Sequence, residues 1–239
     1  MSKITRLIKK FIYPNTYSNE AYLNYLRNDC HITIGEHCKV WSPNETHIDI
    51  QRPHMLHIGD YVKITRNVTI LCHDYSRSVC CNMSGGGYTN VGEGRVTWIG
   101  DNVFIGINAT ILMGAHIGNN SIVGAGSVVS GSFPEGVVLA GNPAKVICTI
   151  DEYYRKRKND ELDSAKLYVK QWREKYGRDP DIYEMTNAFS WLYLPRNQET
   201  IKKYNCFFKL SAVNQDTLLD NFFSSTPVYN SFEDFLKDC

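Results

Sequence analysis

The chain has 239 residues, enough for one large domain or one domain with appendages. Hydrophobic residues make up 43% and charged residues 21%, and the formal net charge is +1, so no strong field argues for a nucleic-acid partner. No apolar run reaches the roughly 18 residues of a membrane-spanning helix, and the opening MSKITRLIKKFIYP is too charged for a secretory signal, so a cytoplasmic location is expected.

A short helix is expected over 2–12. It sets Lys3, Arg6, Lys9 and Lys10 beside Ile4, Leu7, Ile8 and Phe11, a pattern suited to covering the end of a solenoid or to weak contact with an anionic membrane surface. A second helix is expected over 18–28, capped by Ser18, so residues 1–30 read as a helical N-terminal segment.

From residue 31 to 147 a different rule holds. Aliphatic residues recur every six positions at Ile99, Ile105, Ile111, Ile117, Val123 and Val129, and earlier at Ile58, Ile64 and Ile70. Glycine often follows directly, as at Gly59, Gly100, Gly106, Gly118 and Gly124, and a small or branched residue stands four positions on. A weaker run includes Ile34, Gly35, Cys38 and Val40. Neither a helix nor a flat strand has this period. Short strands joined by tight turns do, with the aliphatic residue inward and the glycine relieving the corner; three such units close a triangular coil, and the coils stack into a solenoid. The step from Ile70 to Ile99 breaks the phase, so residues 76–95, with Gly85, Gly86 and Gly87, are expected to leave the coil as a loop of functional length. Residues 148–239 read as a helical extension, with helices near 151–176, 181–193, 197–207 and 215–223.

Eight cysteines without a CxxC pair, and histidines without zinc-finger spacing, predict free thiols and no metal centre. A metal-dependent hydratase would need several histidines on one ion, and His73 has no partner at a suitable repeat spacing. The other six histidines, His57 and His116 among them, are expected to be solvated in turns or on coil faces.

The stretches IGDYVKITRNVTILCHDYS (58–76), WIGDNVFIGINATILMGAHIGNNSIVGAGSVVSG (98–131) and AGNPAKVI (140–147) resemble the hexapeptide-repeat acyltransferases, and within them the maltose, galactoside and capsular polysaccharide O-acetyltransferases. This resemblance implies an all-β core in the form of a left-handed parallel β-helix, a homotrimer, acetyl-CoA as acyl donor without a required metal, and a small-molecule or oligosaccharide acceptor. It implies His73 as general base, a role that a near-neutral imidazole suits, because a sugar hydroxyl must lose its proton as it attacks a thioester. It also implies the amide of Ile107 as oxyanion donor, with Phe104 and Gly106 beside the thioester, Phe104 standing where relatives carry tryptophan. The CoA arm would lie along Gly124 and Ala125 and reach Ala140, Gly141, Pro143 and Lys145; the lysine that relatives often carry after the GAGSVV stretch is replaced by Ser130-Gly131-Ser132. Asp74, Tyr75, Arg77, Tyr88 and Arg95 are the candidate acceptor contacts; Asp74 either bonds an acceptor hydroxyl, orients the imidazole or caps the turn. An amine acceptor on an amino sugar or xenobiotic, and a non-catalytic scaffold, are the alternatives.

Overall fold

The hexad is realised as strands of two or three residues whose second or flanking side chains point inward. The computed structural model describes residues 11–185 and 187–239. The helix expected over 2–12, with its membrane contact, therefore falls almost wholly outside the described residues. The chain divides into two compact units, Met1–Asp151 and Glu152–Cys239.

The first unit opens with helix α1 (Asn19–Asn24), whose N-terminus Ser18 caps by accepting from Ala21 N. The coils follow. The first holds β1 (Thr33–Ile34), β2 (Lys39–Val40) and β3 (His47–Ile48); the second β4 (Leu56–Ile58), β5 (Lys63–Ile64) and β6 (Thr69–Ile70). The third holds β7 (Thr97–Ile99), β8 (Phe104–Ile105) and β9 (Thr110–Ile111); the fourth β10 (His116–Ile117), β11 (Ile122–Val123) and β12 (Val128–Val129). The last begins with β13 (Ser132–Phe133) and β14 (Val137–Gly141), after which β15 (Ala144–Thr149) turns back antiparallel to β14.

Every third strand pairs, giving three sheets: A is β1-β4-β7-β10-β13, B is β2-β5-β8-β11-β14-β15, and C is β3-β6-β9-β12. All pairings except β14 with β15 are parallel and in register. Register stacks Ile58, Ile99 and Ile117 in sheet A, Ile64, Ile105 and Val123 in B, and Ile70, Ile111 and Val129 in C, each at most 2% exposed. Burying one such side chain is worth roughly 1.5–3 kcal/mol, and one coil alone could not bury its ladder. The fold is the left-handed parallel β-helix with helical flanks.

The corners correct the role expected of the glycines. At eight corners the residue with a left-handed backbone stands three places after the aliphatic one: His37, Tyr61, Asn67, Asn102, Asn108 and Asn120 have φ between 52° and 60°, and Gly114 and Gly126 take the same place elsewhere. The glycine directly after the aliphatic residue serves close approach instead. A Cβ on Gly59 would lie 2.7 Å from Gly100 C and 2.8 Å from Asp101 N of the next coil. Asp and Asn side chains tie this corner together: Glu36 N donates to Asp60, Asp60 N to Asp101, and Asp101 N to Asn119, at 2.6 to 2.8 Å.

Sheet C of the first coil breaks the period, with 3₁₀ turns at Pro43–Glu45 and Pro53–Met55 inserted around β3. The loop over 76–95 leaves between β6 and β7 and carries one short helix, α2 (Ser78–Cys81). His57 and His116 lie on the face of sheet A: His57 is half-buried and stacks on Trp98 at 3.6 Å between ring centroids, and the exposed His116 lies beyond Trp98 at 6.1 Å.

Helix α3 (Ile150–Tyr176) leads into the second unit, followed by α4 (Gln198–Lys203), α5 (Asn205–Phe208), α6 (Gln215–Ser224) and α7 (Phe232–Lys237). Asn197, Asn214 and Ser231 cap three of them. Ala165, Val169, Met185, Tyr193, Phe222 and Phe235 form this unit's own core. The helix expected over 181–193 is absent. Asp181 accepts from Tyr183 N and Glu184 N while Glu184 accepts from Asp181 N and binds Arg178, so the helix starts as a capped turn and goes no further; a 3₁₀ turn at Ser190–Leu192 follows.

The close approach at the corners makes a stability prediction. Gly59→Ala should cost about 1–3 kcal/mol, because backbone must shift to admit the methyl group. Gly92→Ala, where a Cβ meets nothing within 4 Å, should stay within about 0.5 kcal/mol of the parent. Urea unfolding of the two variants checks the contrast.

Candidate active site

The parallel register of sheet C sets one residue beneath another. Ile48 pairs with Ile70, and the chain continues from each to Asp49 and to Leu71-Cys72-His73. Asp49 N donates to Ile70 O at 2.9 Å, and the Asp49 carboxylate turns up to the next coil. Its Oδ2 accepts from Cys72 N at 3.0 Å and from the Cys72 thiol at 3.1 Å, and it makes a very short contact with His73 Nδ1; its Oδ1 accepts from Gln51 N at 3.0 Å.

Asp49 is 2% exposed. Burial works against its charge, yet the donors from Gln51, Cys72 and His73 outweigh burial and hold its carboxyl down at about 2. An ionised carboxylate only accepts, so Nδ1 of His73 must carry the proton. The neutral imidazole therefore presents the lone pair of Nε2 outward, and an imidazolium formed there has its counter-charge in place. Asp49 escaped the sequence reading: it stands 24 residues before His73 in the one coil that departs from the hexad, and only the register reveals it.

Cys72 is fully buried, and burial together with the Asp49 carboxylate pushes its thiol up to about 12. A thiol so held is no nucleophile. Asp49 Oδ2, Cys72 Sγ and His73 Nδ1 all lie within 4.8 Å of one another, the group among the described residues that could hold a metal ion. An ion there would have to displace the protons of both the thiol and Nδ1.

Asp74 spends its carboxylate on the turn, accepting from Ser76 N at 2.7 Å and Ser76 Oγ at 2.8 Å. Tyr75 stands edge-on to His73 with ring centroids 4.9 Å apart, and its hydroxyl donates to Gln51 Oε1 at 2.7 Å. Arg77 and Arg95 both bind the Glu93 carboxylate, Arg77 also donates to Asp74 O at 2.9 Å, and Arg52 donates to Glu93 O at 2.7 Å. These arginines thus fasten both ends of the loop. Tyr88 lies exposed on it, away from these bonds.

The residues expected along the CoA arm gather elsewhere. Gly106 follows β8, Gly124 follows β11, and Ala140 and Gly141 end β14, so they stack along the corner from sheet B to sheet C. A Cβ on Gly106 would lie 2.6 Å from Ala125 N, and one on Gly124 would lie 3.1 Å from the Ala140 methyl. Phe104 is half-buried in sheet B between Lys63 and Ile122. Ile107 is exposed, and its carbonyl accepts from Gly126 N at 2.8 Å. Gly141 N donates to Ser127 Oγ at 3.3 Å; Pro143 joins β14 to β15, and Lys145 lies exposed opposite Ala140. His73 belongs to the corner from C to A, so one chain carries the two groups on neighbouring edges of the prism.

A triangular solenoid of this repeat, with a buried-carboxylate-held histidine at a corner, defines a class. The family described as hexapeptide repeat of succinyl-transferase matches residues 96–130. Protein CapG of Staphylococcus aureus is 38% identical over 125 residues, covering 52% of this chain and 70% of CapG. Galactoside O-acetyltransferase of Escherichia coli (strain K12) is 39% identical over 95 residues, 40% of this chain and 44% of that enzyme. A 2,3,4,5-tetrahydropyridine-2,6-dicarboxylate N-acetyltransferase of Clostridium perfringens is 52% identical over 68 residues, 28% of each chain. The chain belongs to the hexapeptide-repeat acyltransferases. It spans 57%, 28% and 28% of the lengths of the first three curated relatives it matches.

The lowered pKa of Asp49 carries a sign. A carboxyl lower in the folded than in the unfolded chain, where it sits near 3.9, adds stability above that value and loses it as pH falls toward 2. The loss is roughly 2 kcal/mol by that linkage. Asp49→Asn should lack this component of the acid dependence, so the stability gap between variant and parent should narrow between about pH 5 and about pH 2. Urea unfolding at the two pH values measures it.

Proposed function

We propose that the chain is an acetyltransferase that uses acetyl-CoA to acetylate a saccharide hydroxyl, with His73 as general base. The observation that carries this reading is the fixed tautomer: Asp49 takes Nδ1 of His73 and leaves the lone pair of Nε2 to accept a proton. Acetyl-CoA brings an activated acetyl thioester. Gly124, Ala125 and the Ala140–Pro143 turn would hold its arm, and Lys145 its phosphates; the bare glycine edge at this corner fits such a chain, since side chains there are excluded by the next coil. Nε2 accepts the proton of the attacking hydroxyl. Asp49 stabilises the imidazolium, which then protonates the departing thiolate, so no net proton is gained or lost by the protein. The Ile107 amide is the proposed donor to the oxyanion.

We also propose a homotrimer. The base and the glycine edge lie on different corners of one prism, and a neighbouring copy would supply the edge facing His73. Direct transfer fits the buried, protonated Cys72, which offers no acyl-enzyme. The Escherichia coli relative's name supports a sugar hydroxyl and the Clostridium relative's name an amine; both acceptors need the same base. Eight free cysteines fit a cytoplasmic setting. No helix among the described residues is long and apolar enough to cross a membrane.

Thiol release from acetyl-CoA with a panel of sugars, capsular oligosaccharides and amines tests the reading. His73→Ala should lower kcat by about 10²–10⁴-fold, and Asp49→Asn should lower it less, without raising KM for acetyl-CoA. Transfer that survives His73→Ala removes the histidine from the mechanism, and transfer to amines alone replaces the hydroxyl acceptor.

A further inference from the structure

The second unit holds a cavity of its own. It measures about 600 Å³, within the range of small-molecule sites. Its apolar side is Tyr193, Leu194 and Phe232, and its polar side includes Asn230, Glu199 and Glu233. Asp181 and Lys203 complete the charged groups along it, so three carboxylates face one ammonium.

Two features of this cavity need a cause. Glu199 and Glu233 each stand in the first turn of a helix, α4 and α7, where an acid is favourable whatever lies nearby. That accounts for each alone but not for their meeting across one hollow. Tyr193 is the second. It is 1% exposed, packs on Phe232 and Phe235 at 4.9 and 5.3 Å between centroids, and its hydroxyl is buried without a hydrogen-bond partner among the described residues. A phenylalanine would fill the same space without leaving a buried donor unsatisfied.

We propose that this cavity binds a saccharide, neutral or amino-substituted, and that the second unit thereby holds the acceptor polymer or oligomer. A sugar ring offers an apolar C–H face for the Phe232 side and hydroxyls that can donate to Glu199 and Glu233; one that enters past the lining would pair with the Tyr193 hydroxyl, which solvent does not reach. The excess of carboxylates turns away phosphate, uronic acids and sialic acids, and accepts an ammonium group. The choice of ligand class rests on the saccharide reading above, whereas the cavity, its charge and the orphan hydroxyl do not.

The test measures binding, not transfer, on the full chain. Maltoheptaose, fully deacetylated chitosan oligomers and oligogalacturonate serve as neutral, amino and acidic probes in ligand-observed NMR and calorimetry. The neutral or the amino probe should bind, and the acidic one should bind at least tenfold more weakly. Glu199→Gln with Glu233→Gln should weaken binding at least tenfold, with only the small fall in melting temperature that losing two first-turn acids brings. Tyr193→Phe is the discriminating variant: it should weaken binding while the melting temperature holds or rises. Binding by none of the probes, preference for the acid, or binding indifferent to these substitutions overturns the proposal. His73→Ala should bind the probes as the parent does. Saccharide binding without any saccharide acetylation would leave the cavity standing and sink the acceptor reading; acetylation indifferent to Glu199 and Glu233, with no binding at the cavity, would do the reverse.

Discussion

The stacking of one coil directly upon the next governs this protein. Parallel strands in a sheet sit about 4.8 Å apart, and at the corners the approach is closer still than a Cβ allows, as Gly59, Gly100 and Gly106 show. From that single distance the rest follows. The position after each aliphatic residue must be bare or must face outward. The turn must then be completed with a left-handed residue, which asparagine tolerates because its short polar side chain can bond locally. The carboxylates and amides of Asp60, Asp101 and Asn119 answer backbone N–H groups of the neighbouring coil, so the corner leaves few orphan donors.

The same stacking builds the Asp49–His73 pair. A parallel ladder in strict register places Asp49 one coil below His73, and no loop has to be ordered to bring them together. The carboxylate is almost wholly removed from water, a position that opposes ionisation, yet two backbone amides, a thiol and an imidazole converge on it. Four donors on two oxygens decide the balance in favour of the anion. An insertion can leave such a solenoid only at a corner, since anywhere else it would break a ladder; the loop over 76–95 does so directly after His73.

Legibility in the sequence followed the same divide. The hexad shows itself wherever inward aliphatics and close-approach glycines are both present, from Ile58 to Ile70 and from Ile99 to Val129. It is faint where β3 is flanked by 3₁₀ turns, and Asp49 stands in that faint coil. His73 carried a motif, but its partner was set by register across 24 residues, which no local pattern encodes. Glycine's role was misread because sequence shows a turn residue without showing what lies above it. In the second unit, amphipathic spacing marked α3, α4 to α5 and α6, whereas the competition of Asp181 and Glu184 for nearby backbone N–H groups stopped the helix expected after Pro180.

The polar groups around His73 are largely committed to one another. Arg77, Arg95 and Arg52 converge on Glu93, Asp74 is taken by Ser76, and the Tyr75 hydroxyl by Gln51. In the proposed function that corner deprotonates the acceptor, and selection between sugars by hydrogen bonding needs polar groups that are left unpaired when the wrong ligand binds. The second unit holds a roomy hollow, an aromatic side, carboxylates along it and one buried hydroxyl without a partner among the described residues. In the function proposed above, the proton transfer falls to the coil and the holding of the acceptor to the second unit.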